Sequence, residues 1–137
     1  MKRTPIAVAV VLGMLAVPAA GQAALHCPAG TFTADVHRGP DADLSLTGRL
    51  DGFRVSDSGA VTGKLHHYGK TVPIHGQISG RTVRLAFSLR SGLTLRGSGR
   101  AAHAIRTCQD LAMTGKARGP RKGDRGDWGI IWGSSPR

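Results

Sequence analysis

The sequence contains neither Glu nor Asn, and its 8 acidic residues are all Asp: Asp35, Asp41, Asp43, Asp51, Asp57, Asp110, Asp124 and Asp127. Long solvent-exposed helices draw on Glu, Lys, Gln and Ala for their polar faces, so this composition disfavours them. Aromatic residues make up only 4% of the chain, which leaves few stacking platforms for single-stranded nucleic acid. Cysteine is confined to Cys27 and Cys108, without a Cys-x-x-Cys spacing, and this argues against a metal centre or a free reactive thiol. The one long apolar run, Ile6 to Val17, stops well short of the roughly 20 residues that carry a helix across a bilayer.

Against these absences stand 137 residues, enough for one domain, with 19 Lys and Arg and a formal charge of +11. Hydrophobic residues, at 40%, recur at regular intervals, which excludes disorder of the whole chain. At the N-terminus Met1-Lys2-Arg3, the apolar run and the small residues from Pro18 to Ala24 follow the order of a secretory signal peptide. Gly21 and Ala23 meet the small-residue requirement of the cleavage site, so the expected division is a signal peptide at 1–23 and a single β-domain at 24–137. His26 stands where a lipoprotein signal needs a small residue, which disfavours a lipid on Cys27. The expected location is periplasmic or secreted, an oxidising compartment in which Cys27 and Cys108 pair as a structural disulfide.

From Thr31 onward apolar residues alternate with polar ones, the period of a strand with one buried face. The runs are Phe32-Ala34-Val36, Leu44-Leu46-Leu50, Val61-Leu65, Val72-Ile74-Ile78, Val83-Leu85-Phe87-Leu89, Leu93-Leu95, Leu111-Met113 and Trp128-Ile130-Trp132. Turn signals separate them at Gly39-Pro40-Asp41, Asp57-Ser58-Gly59, Tyr68-Gly69-Lys70, Ser79-Gly80-Arg81 and Ser91-Gly92. With Phe53 to Ser56 counted separately, roughly eight or nine strands result. The form apolar, Thr, Gly, basic, apolar repeats at Leu46–Leu50, Val61–Leu65 and Met113–Ala117, with a looser copy at Ile74–Ile78. A mid-strand glycine marks a sharp bend or a close backbone approach.

The expected fold is all-β: an antiparallel up-and-down meander closing into a barrel of about eight strands, because closure removes exposed edges. A β-sandwich is the alternative. With turns such as Ser58-Gly59-Ala60-Val61-Thr62-Gly63, the pattern resembles the small barrels of the avidin and lipocalin type. That resemblance implies the architecture and carries no ligand-binding residues with it.

Catalysis has little support. Every Asp lies beside a turn signal, where its carboxylate caps a turn, and no Gly-x-Ser-x-Gly elbow occurs. A hydrolase, the remotest alternative, would need an Asp and a His converging in a cleft. Adjacent His66 and His67 point to opposite faces of a strand, and a hairpin at the Tyr68-Gly69 turn could set His75 opposite one of them, the weaker reading of a metal pair; neither a metal site nor a cofactor is expected.

Arg49, Lys64, Arg84 and Arg96 alternate with apolar positions and belong to the outer face. The segment Lys116 to Asp127, basic and Gly-rich, reads as a loop at 116–127 leading into the Trp128–Trp132 strand. Its Arg118, Arg121, Lys122 and Arg125, together with Trp128 and Trp132, form the candidate binding site. The Arg125-Gly126-Asp127 triplet matches an integrin-recognised motif, and after Gly123-Asp124 it reads as a turn. The expected function is an exported, non-catalytic binding module for an anionic envelope polymer, an acidic protein or membrane headgroups. Export makes nucleic acid a poor partner, and a carrier of small apolar ligands is the alternative.

Overall fold

The computed structural model describes residues 22–89 and 93–133; the expected leader up to Gly21 and the Ser91-Gly92 turn lie outside the described residues. The strands are β1 (Leu25–His26), β2 (Gly30–Arg38), β3 (Ser45–Val55), β4 (Ala60–His67), β5 (Lys70–Ser79), β6 (Thr82–Ser88), β7 (Thr94–Arg100), β8 (Thr114–Arg118) and β9 (Arg125–Trp132). Strands β2 to β9 run in the order β3-β2-β9-β8-β7-β6-β5-β4, and β3 pairs with β4, so the antiparallel sheet closes on itself. The result is an 8-stranded barrel with β1 added against the far end of β3, as the alternation predicted; the sandwich is excluded.

The interior is filled. Phe32 on β2 and Phe87 on β6 come from opposite walls, yet their ring centroids lie 4.5 Å apart, and Trp128 stacks on Phe32 at 6.4 Å. Around them pack Val36, Leu46, Leu50, Leu65, Ile74, Val83 and Leu95, all fully buried. Outward positions are mostly polar or charged, with Ile131, Pro73 and Ala86 as apolar exceptions, the reverse of a barrel whose outer band faces lipid. Gly97 and Gly115 lie flush under the Trp128 indole, where a Cβ would collide with the ring, so these glycines are required for the largest core side chain to turn inward.

The residues expected as two strands, Leu44–Leu50 and Phe53–Ser56, form the single bent strand β3. Its pairing with β4 shifts between Asp51 and Arg54, and Gly52 takes φ +59° there. This extra residue reverses the parity, so that Leu46 and Leu50 before the bulge and Phe53 and Val55 after it all point inward. Leu111 and Met113, expected on a strand, instead lie at the end of a 3-10 helix (Cys108–Leu111) and in the link to β8. Thr107 and Asp110 form a reciprocal capping box that starts this helix.

The meander places its connections alternately at two ends. At one end the Cys27–Cys108 disulfide ties the N-terminal segment to the 3-10 helix, with Cα atoms 5.6 Å apart, and buried Leu25, Ile105 and Leu111 plug the core. The other end, the mouth, carries the links β2–β3, β4–β5, β6–β7 and β8–β9. In the β4–β5 link both central residues, Tyr68 (φ 46°) and Gly69 (φ 77°), lie at positive φ between the paired His67 and Lys70, the pattern of a type I′ hairpin. Glycine accepts that region freely; at Tyr68 it costs about 1–2 kcal/mol.

A candidate polyanion-binding wall

The expected basic loop at 116–127 shrinks to Gly119–Asp124, because Ala117 and Gly126 turn inward and let β8 and β9 run on through the flanking basic residues. Within this loop Asp124 is completely buried. One carboxylate oxygen accepts the backbone N–H of Asp41 at 2.8 Å and the other accepts that of Arg121 at 2.9 Å. Arg121 in turn grips the Asp41 carboxylate with Nε and Nη2, each at 3.0 Å. The paired guanidinium, and behind it the hydrogen-bonded Asp124 side chain, hold the Asp41 carboxyl below its usual range, and Asp41 raises Arg121 in return. Arg125 folds its guanidinium onto the Asp124 carbonyl at 2.8 Å. The acid–base chemistry of the loop thus latches the β2–β3 link to the β8–β9 link.

The six expected binding residues do not form one surface. Trp128 is enclosed in the core, its Nε1 donating to the Ser98 carbonyl at 3.1 Å. Trp132 lies at the disulfide end against Phe53, with ring centroids 5.3 Å apart and an enclosed Nε1 that has no partner among the described residues. Arg121 and Arg125 are engaged in the latch, whereas Arg118 and Lys122 are exposed and make no ion pair among the described residues. The Arg125-Gly126-Asp127 triplet lies not in a turn but in β9, with Gly126 buried between β2 and β8.

Arg118 has different company. On the outer face it pairs directly across from Arg96 of β7, and Lys116 pairs with Ser98, which pairs with Arg84 of β6. Two rows therefore cross the wall: Arg118, Arg96, Ala86, His75, and beside it Lys116, Ser98, Arg84, Gln77. The neighbouring strands β4 to β8 contain no carboxylate at all. The chain has no acidic residue between Asp57 and Asp110, a signal that was open to reading in the sequence. At the borders of this wall Asp127 of β9 stands 3.8 Å from Lys116, and Asp51 of β3 pairs in register with Lys64. Between them Arg84, Arg96 and Arg118 have no acidic partner among the described residues. Like charges directly opposite on a sheet are destabilising. No Trp, Tyr or Phe points outward from β5 to β8, so the wall offers charge without a stacking surface.

His75 does not sit opposite His66 or His67: it pairs with Thr62, while His66 and His67 pair with Thr71 and Lys70. No group of three metal-ligating side chains forms among the described residues. Two Asp–His pairs do meet, His37 with Asp127 at 3.1 Å and His66 with Asp51 at 3.5 Å, both on the outer face and well exposed. No serine hydroxyl is hydrogen-bonded to either histidine among the described residues. The barrel interior is packed, and a groove of about 890 Å³ lies at the mouth, lined by His67, Lys70, Val72, Pro73 and Leu89 among others. Comparison with known proteins returned no matching family model, curated protein or solved structure.

Proposed function

We propose that the protein is an exported, non-catalytic module that binds an anionic envelope polymer along the outer face of β6, β7 and β8. The observation that carries this reading is Arg96 set directly across from Arg118, with Arg84 and Lys116 beside them, on strands free of carboxylates. An arrangement that works against stability is expected where an oxyanion ligand offsets the repulsion. Guanidinium groups match phosphate, sulfate or carboxylate in bidentate geometry, and the lack of outward aromatics favours a charged backbone over sugar rings or bases. Export rests on the order of charged, apolar and small residues in the leader, and the disulfide fits an oxidising compartment.

The test is titration of the protein with polyphosphate, dextran sulfate and neutral dextran over a range of salt. Binding to both polyanions, none to neutral dextran, and a steep loss with salt are expected. Arg96→Gln and Arg118→Gln should each weaken binding about fivefold at low salt, from about 1 kcal/mol per charge at an anionic surface. Either substitution should also raise the low-salt melting temperature slightly by relieving repulsion. Polyanion affinity unmoved by both substitutions would overturn the assignment.

A further inference from the structure

The mouth presents a second surface, which adjoins the arginine wall at Arg118 and Arg96. Of the three exposed large hydrophobic side chains among the described residues, Tyr68 (90% exposed) and Leu93 (39%) stand on its rim, and Ile131 (67%) lies toward the other end of β9. Tyr68 leans on His67, ring centroids 4.5 Å apart, and its backbone occupies a region that Asn or Gly would enter more readily. Apart from the His67 ring, no aromatic neighbour covers Tyr68 among the described residues. The groove beside it opens where the β5–β6 ladder ends at Ile74 and Phe87; the next residue, Pro73, has no N–H to donate. Val72, Pro73 and Leu89 give the groove apolar walls, and Lys70 stands at its lip.

The charges of the rim are as lopsided as its apolar tips. Arg38, Lys70 and Lys122 are exposed and make no ion pair among the described residues. Of the acids there, Asp124 is buried and Asp41 is held by Arg121, which leaves Asp43 as the exposed carboxylate. Cations ringing exposed Tyr and Leu side chains match the lipid–water interface: the aromatic ring takes the headgroup depth and lysines meet lipid phosphates.

We propose that the mouth docks end-on against a bilayer containing anionic lipids, with Tyr68 and Leu93 entering the headgroup region and Lys70 and Lys122 on the phosphates. The polar outer wall keeps the barrel on the membrane surface and prevents it from spanning the bilayer. A soluble polyanion would use the charges and leave the apolar tips idle, which is why a bilayer is the better fit.

The test is co-sedimentation with vesicles of phosphatidylcholine alone and of phosphatidylcholine mixed with phosphatidylglycerol. Binding is expected to the mixed vesicles. Tyr68→Asn, which suits the turn and should raise the melting temperature, should weaken that binding about tenfold. Tyr68→Trp should retain it, and Lys70→Gln should weaken it about fivefold. Polyphosphate binding should be unchanged in Tyr68→Asn, which separates this surface from the arginine wall. The proposal is overturned by an absence of vesicle binding, by vesicle binding that Tyr68→Asn leaves intact, or by vesicle binding lost only in Arg96→Gln and Arg118→Gln. It is equally overturned if Tyr68→Asn instead removes binding to a neutral glycan.

Discussion

Asp124 shows how one side chain changes the meaning of a charged loop. In sequence it is one Asp among basic residues; in the fold its carboxylate is buried and supplies acceptors for two backbone N–H groups from different links. Asp124→Asn keeps the shape but sets an amide N–H₂ against one of those donors. The variant should lose about 1–3 kcal/mol of stability, measured by urea unfolding. Arg121 belongs to the same latch and so is not free for a ligand, whereas Arg118, three positions earlier, looks out over the wall. The difference between the two arginines was not legible in the sequence, because it depends on Asp41, a residue brought alongside only by the pairing of β2 with β9.

At the scale of elements, the strand alternation was legible nearly throughout; besides the strand ends hidden in the expected basic loop, it failed in two places for identifiable reasons. In β3 the bulge at Gly52 joins two runs of opposite parity, which alternation alone separates. After Cys108 the Thr107 and Asp110 capping box overrides the apolar spacing of Leu111 and Met113 and turns the chain into a 3-10 helix. The Asp110 carboxylate accepts the backbone N–H groups of Arg106 at 2.8 Å and Thr107 at 2.9 Å, and these bonds lower its pKa from the ordinary carboxylate value of 3.8. Asp51, beside Arg49, is lowered as well. A carboxylate with a depressed folded pKa stabilises fully above its unfolded value and loses that contribution as the pH falls through the folded one. The melting temperature should therefore be flat around neutrality and fall below the ordinary carboxylate range, and Asp110→Asn should reduce the acid-induced drop.

For the whole molecule, the disulfide at one end and the open mouth at the other give the barrel an axis. Cys27 and Cys108 are 81 positions apart, and closing a loop of that size stabilises by about 4–5 kcal/mol in the chain-entropy model. A double Cys→Ser variant should show a loss of that order by thermal melting. The mouth should be the less protected end in amide hydrogen exchange, since among the described residues its links are tied by hydrogen bonds and the Asp41–Arg121 pair, whereas the other end carries the disulfide. By itself the sequence determined the fold class, the pairing of its cysteines and the inward face of most strands, because these follow from local period and composition. Only the tertiary structure decided which charges meet. Closure sets Arg96 against Arg118 and buries Asp124, and it draws Trp128 into the core while leaving Tyr68 at the rim. Side chains distant along the chain become neighbours only through strand register, so a net charge of +11 could not say where an anion would bind.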